Sequence, residues 1–168
     1  QNISFKHVDL MDDRFNLANY CDSVSCLHAL EHFGLGRYGD RIDYSGHLIG
    51  WKNIYRMLKE EGKFYFSVPI GEQRIEFNAH RVFCMEYLLN LIGQSYRIDS
   101  FSYVSDESNL INDAPLTAGS IQNNFECHYG CAIFELTKIS GHKLVKKPSH
   151  GNAKKISGIK LPLMKIVH

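Results

Sequence analysis

One stretch limits what this chain can fold into more than any other: Cys21-Asp-Ser-Val-Ser-Cys-Leu-His-Ala-Leu-Glu-His-Phe-Gly34. Asp22 to Leu27 is short and mixes small with β-branched residues, the composition of a strand buried in a parallel sheet. His28, Glu31 and His32 follow at once, and Gly34 and Gly36 break any helix that begins there. Ligands of open α/β sheets bind beyond the carboxyl ends of strands, so a site is expected in this turn.

The rest of the chain supplies partners for that strand. Ile3-Ser-Phe-Lys-His-Val8 alternates as a strand and stops at Asp9-Leu10-Met11-Asp12-Asp13. Arg14 to Tyr20 is a short connection or a helical turn. Leu48, Trp51, Ile54, Tyr55 and Leu58 recur at spacings of three or four, which predicts an amphipathic helix from His47 to Lys59, closed by Glu61-Gly62. Lys63 to Val68 reads as the next strand, stopped by Pro69 and Gly71. Glu72 to His80 is a polar connection, and Arg81 to Ile92 is a second helix ended by Gly93. Tyr96 to Val104 is a strand, Ser105 to Tyr129 a long loop, and Cys131 to Ile139 a final strand. This order predicts an α/β fold whose sheet is mostly parallel. Strands 3–8, 22–27 and 63–68 are expected to be parallel, with 96–104 and 131–139 as an antiparallel pair.

At 168 residues, 44% hydrophobic and 22% charged, the chain has material for one domain with a genuine core. Its charge is unevenly divided. Residues 141–168 carry seven lysines and no acid, leaving twelve basic against eighteen acidic side chains in residues 1–140. We therefore expect a mildly acidic domain at 1–140 and a basic, loosely attached tail at 141–168. The tail lacks the interleaved aromatics that stack on bases, so no specific nucleic acid is expected. Five cysteines, an odd number without framework spacing, fit free thiols in a reducing, cytoplasmic setting. No run approaches a membrane span, and the N-terminus has no secretory pattern. Gln1 is not an initiator methionine, so residues before it are expected to have been removed or never included.

Three features coincide in one pattern. Asp9-Leu10 ends the first strand; Asp22 to His32 has the form Asp-x-Val-x-x-x-x-x-Leu-Glu-His; and Arg56-Met-Leu-Lys-Glu-Glu-Gly62 leads into the strand at Lys63. Together they resemble the later two-thirds of a class I S-adenosylmethionine-dependent methyltransferase. More narrowly, His28 to Asp40 and Ser67 to Phe83 look like a methyltransferase-like domain family of unknown function first described from nematode proteins. The resemblance implies a Rossmann-like sheet and S-adenosylmethionine as cofactor. Asp9 would accept from the adenine amino group, Leu10 would present its backbone to the ring, and Leu27 and His28 would sit beside the cofactor's amino-acid end. The implied reaction is methyl transfer to a small or glycan-type acceptor. The family's glycine loop and its ribose-holding acid have no counterpart here, since Gly34-Leu-Gly36 follows the wrong strand. A sheet lacking the N-terminal cofactor-loop half is therefore expected, and weak or no cofactor binding by this chain alone. The alternative function is a non-catalytic binding or scaffold domain that keeps the sheet without the cofactor site.

The side chains themselves carry further expectations. His28-Ala-Leu-Glu-His32 fits H-x-x-E-H, the spacing in which two histidines of one helix hold zinc and the glutamate is the base. The nearby glycines leave barely one turn and no third ligand stands out, so no metal is expected. His32 is read instead as facing the acceptor, or as a histidine satisfied by backbone. Gln73, Arg74, Glu76, Asn78, His80 and Arg81 crowd nine residues after a core strand. His80 or Glu76 is placed to deprotonate an acceptor hydroxyl, and Arg74, Asn78 and Arg81 to bind the substrate. The competing reading of that loop is helix capping and a surface salt network. Cys127-His-Tyr-Gly-Cys131 lacks a second ligand pair, and Cys131 is expected to face the core.

Overall fold

The computed structural model describes residues 3–12, 14–76 and 79–139, and the backbone alone of Lys165–Val167. The chain opens its sheet with β1 (Cys21–Leu27), crosses through α1 (Gly46–Met57) and returns as β2 (Leu58–Ile70). A hairpin of β3 (Arg74–Glu76) and β4 (His80–Val82) precedes α2 (Met85–Ile92). Next come β5 (Tyr96–Val104), β6 (Leu110–Ile111), a short α3 (Ala118–Gln122) and β7 (Gly130–Lys138). The main sheet runs β1-β2-β7-β5-β6, and Lys165–Val167, as β8, pairs with β3 in a separate small sheet.

β1 and β2 are parallel, with Val24 opposite Phe64 and Cys26 opposite Phe66, as expected for 22–27 and 63–68. β5 and β7 are antiparallel, as expected for 96–104 and 131–139, and β7 inserts between β5 and β2, antiparallel to both. The expected strand at 3–8 does not form. Ile3 and Phe5 stand 88% exposed, and among the described residues no strand flanks the outer edge of β1. An alternating segment without a ladder partner or a face to bury gains nothing from being a strand. For the same reason β1 is less buried than its composition implied: only Cys26 of its seven residues is buried.

One face of the sheet holds the core. Phe64, Phe66, Val68 and Ile70 of β2 alternate inward, joined by Phe134 and Leu136 of β7. Trp51 of α1 meets Phe64, Phe66 and Tyr96 edge-on at ring separations of 5.2–5.5 Å. The helix ends two residues earlier than expected. Leu58 is already extended, and Lys59 to Gly62 loop out as a bulge between the pairs Cys21–Leu58 and Ser23–Lys63. The expected helix from Arg81 likewise starts late, because His80–Val82 pairs back on β3 and Phe83 is tied to Pro69 and Gly71. The long loop at 105–129 contains β6, α3 and a turn of 3-10 helix at Asn124–Glu126. No helix of the described residues is long and apolar enough to cross a membrane. The expected tail lies outside the described residues, apart from the backbone of β8.

Candidate active site

Beyond the carboxyl ends of β1 and β2 three segments meet. The first continues β1. His28 takes a left-handed φ of 48° while its N–H donates to the Ser67 carbonyl, prolonging the parallel ladder by one bond. A single turn of 3-10 helix at Leu30–His32 follows, with Glu31 1% exposed. The loop beyond it folds back tightly. At Gly34, with a φ of 75°, a Cβ would lie 2.1 Å from the Asp43 carbonyl oxygen, so no other residue fits.

The second segment is the β3–β4 hairpin, which carries Arg74, Glu76 and His80. Arg74 Nε lies 3.0 Å from Glu76 Oε1, and His80 Nε2 is 3.3 Å from Glu76 Oε2, within ion-pair reach but off hydrogen-bond geometry. The third is the turn entering β7, which brings Tyr129 and Cys131. Asp106 accepts from the backbone N–H groups of His128 and Tyr129 at 2.7 and 2.9 Å, and Arg74 donates to the His128 carbonyl at 3.0 Å.

The side chains converge. Glu31 Oε1 lies 3.2 Å from His28 Nδ1 and 3.8 Å from His32 Nε2, while Glu31 Oε2 is buried without a hydrogen-bond partner. Burial raises the Glu31 pKa and lowers those of His28 and His80. His32 Nδ1 donates to the Ala79 carbonyl at 2.6 Å, which leaves Nε2 facing the carboxylate. The rings of His32 and His80 are 6.3 Å apart, and Tyr129 lies 5.1 Å from His80. His28 Nε2 is 3.0 Å from Cys131 Sγ. Such an arrangement can accept, hold and pass a proton at its mouth. Among the described residues no group of three or more His, Cys, Asp or Glu side chains is set to hold a metal ion.

His28, His32, Glu76 and His80 are thus brought together. The arginines are not free at the mouth. Arg81 is fully buried, donating to the carbonyls of Glu31, Phe33 and Tyr44 at 3.2, 2.6 and 3.3 Å, and burial pushes its pKa down to about 10. The expected substrate contact at Arg81 is replaced by a clamp on the loop after β1. Arg74 is mostly buried against Glu76 and the His128 carbonyl, and Asn78 lies outside the described residues. The turn with Asp9 and Leu10 is tied to α1, where Asn53 Nδ2 donates to the Leu10 and Asp12 carbonyls. Asp9 accepts from the Met11 N–H at 2.7 Å, and Leu27 is 59% exposed at the end of β1. Cys131 does not face the core as expected. Ala132, Phe134 and Leu136 point inward, so strand alternation turns Cys131 the other way. That parity was available in the sequence; for Tyr129 no signal was.

A family model described as "Caenorhabditis protein of unknown function, DUF268" matches residues 2–143. Among solved structures the chain is similar to SpnF, a 4+2 cyclase, with a TM-score of 0.52 at 16% identity over 82% of this chain and 57% of that one. It is also similar to the MccD protein, with a TM-score of 0.47 at 11% identity over 79% of this chain and 66% of that one. The chain therefore spans less than two thirds of either neighbour's length, and the likeness to SpnF shows the fold alone. No curated protein matches the chain.

Proposed function

The chain belongs to the DUF268 family, and from its methyltransferase-like α/β fold and the geometry of its site we propose that it serves methyl transfer to a hydroxyl of a small or glycan-type acceptor. The observation that carries this reading is the buried Glu31 carboxylate set beside His28 and His32, with His80 facing His32 from the hairpin. A hydroxyl attacks an alkyl carbon poorly until its proton is taken, and this cluster is built to take one.

His80, on the hairpin, is the base assigned to the acceptor, neutral at physiological pH because burial lowers its pKa, and Glu76 stabilises the imidazolium once the proton arrives. His32, fixed in orientation by the Ala79 carbonyl, turns Nε2 toward Glu31. Arg74 and Arg81 act by holding the two flanking turns in place.

The cofactor is S-adenosylmethionine, which when bound supplies an electrophilic methyl group. Asp9, Leu10, Leu27 and His28 would hold it. An exposed apolar Leu27 and a half-exposed His28 at the end of β1 fit one side of such a group. The described residues supply that side only, and Asp9 already spends one carboxylate oxygen on its own turn. This last observation favours the second reading, a binding or scaffold domain without the cofactor site.

The test is to give the natural full-length protein methyl-labelled S-adenosylmethionine with a panel of hydroxylated small molecules and glycans. Label is expected in an acceptor, with His80→Ala slowing transfer about a hundredfold while cofactor affinity stays within a factor of two. No transfer of label, together with no binding of S-adenosylmethionine by the full-length protein, would favour the scaffold. A parallel fall in affinity would move His80 to the cofactor side.

A further inference from the structure

Methyl transfer gives Cys131 no task, yet its position is specific. Sγ lies 3.0 Å from His28 Nε2, and His28 Nδ1 lies 3.2 Å from Glu31 Oε1. The three residues come from the second position of β7, the residue just past β1 and the 3-10 turn beyond it. A thiol, an imidazole and a carboxylate in that order form the arrangement in which a base activates a nucleophile while a third group orients the base. Two further observations bear on it. Glu31 is 1% exposed and its Oε2 has no partner, a costly state for an oxygen at the inner end of the relay. His28 sits at a left-handed φ of 48°, a region uncommon for residues other than glycine, and this turn directs its ring out of the strand's alternation.

We propose that Cys131 is a base-assisted nucleophile whose partner is a low-molecular-weight disulfide, with which it forms a mixed disulfide. The neighbours of Sγ select this chemistry. Attack at a carbonyl asks for donors around a developing oxyanion, whereas here the groups next to sulfur are an imidazole and the Ala132 carbonyl, itself an acceptor. Attack at sulfur asks only for an open approach and somewhere to put the proton. Cys131 is half-buried and His28 is 49% exposed, so the approach is open.

The step balances. The S–H bond of Cys131 breaks and its proton passes to His28 Nε2. A bond forms between Sγ and the near sulfur of the disulfide, and the disulfide's own S–S bond breaks. The leaving thiolate takes the proton from His28, so Cys131 is oxidised and one sulfur of the reagent is reduced. Glu31 stabilises the transient imidazolium through Nδ1. Burial pushes the Cys131 thiol up, with the Glu31 charge adding to it, and burial pushes His28 down. At neutral pH the pair therefore rests as thiol and free base, not as a preformed ion pair. The charged and titratable groups around it are Glu31 and His32 on the 3-10 turn, Arg37 on the loop beyond it, Arg74, Glu76 and His80 on the hairpin, and Tyr129 on the turn before β7.

The proposal stands whether or not the domain transfers methyl groups, and it is tested on the full chain with a chromogenic aromatic disulfide and with glutathione disulfide. Peptide mapping is expected to place the first adduct on Cys131, formed about tenfold faster than on Cys21 or Cys84, the other half-buried thiols. His28→Gln is expected to slow that adduct about tenfold. The pH–rate profile of the unsubstituted chain is expected to rise through the histidine range before the thiol range. Equal labelling of Cys131, Cys21 and Cys84 would overturn the proposal. So would a profile with a single inflection in the thiol range, a readout that decides even if His28→Gln fails to fold.

Discussion

Arg81 shows how a residue's type can be legible while its task is not. An arginine three residues after Asn78, in a polar run following a core strand, reads as a ligand for an anionic substrate. What the sequence does not carry is the path of the loop after β1, which folds back and sets three carbonyls around the guanidinium. Removing that group leaves buried acceptors unpaired at a cost of about 1–3 kcal/mol each, not all of which can be recovered by water. Arg81→Met is thus expected to lower the unfolding free energy by about 3 kcal/mol in urea titration. Arg81→Lys should recover only part of it, because an ammonium cannot span the fork. A loss below about 0.5 kcal/mol in Arg81→Met would return Arg81 to the mouth of the site. Beside Arg81, His47 is buried with its Nε2 2.7 Å from the Tyr87 hydroxyl, and burial, with the Arg81 charge, holds its pKa down to about 3. The folded value lies below the ordinary 6.5, so neutral His47 favours the fold fully above pH 6.5 and less as pH falls from there toward 3. One such group tilts stability by up to about 1.4 kcal/mol per pH unit across that window. His47→Asn should flatten the acid limb of the stability curve, and an unchanged slope would show that His47 charges freely in the folded protein.

At the scale of elements, the long periodic segments were readable and the short ones were not. The stripe of Trp51, Ile54 and Tyr55 located α1, and alternation located β5 and β7 to within a residue or two, whereas β2 begins at Leu58, five residues before the expected start at Lys63. β3 and β4 are three residues each, too short to carry a period, and the bond that defines them is their pairing with each other. Yet that hairpin, together with the turn before β7, builds two of the three walls of the site. The contact between those walls runs through Gly71, where a Cβ would lie 2.2 Å from the His128 carbonyl oxygen. Gly71→Ala must push the turn away from the sheet, and we expect about 2 kcal/mol of lost stability. The same displacement should carry Tyr129 from His80 and Cys131 from His28. Its signature is a change in the imidazole resonances of His28 and His80 on titration by NMR, with His47 unaltered. If stability falls while those resonances stay in place, the turn is not what positions the two side chains.

For the whole molecule the outer edge of β1 is where the sheet can be extended. Its inner edge is paired with β2 apart from the bulge at Asp22, whereas the outer edge has no partner among the described residues. Leu27 stands exposed at its end, and the alternating segment at 3–8 pairs with nothing described. On the proposed cofactor reading, the exposed Leu27 and His28, with the turn at Asp9 that Asn53 ties to α1 through Leu10 and Asp12, would form one side of a nucleoside site. Two sides are what give such a site its affinity, because an adenosine held on one face keeps most of its surface in water and pays the full cost of being localised. The 168-residue chain is therefore expected to bind S-adenosylmethionine no more tightly than the millimolar range in calorimetric titration, about −4 kcal/mol or weaker. Adding whatever sequence pairs with the outer edge of β1, in cis or as a separate chain, should improve that by at least about a hundredfold if the domain is a methyltransferase. Micromolar binding by the 168 residues alone would mean that Asp9, Leu10, Leu27 and His28 suffice. No gain on completing the sheet would leave the scaffold reading in possession, with the histidine cluster and Cys131 as the chemistry the fold retains.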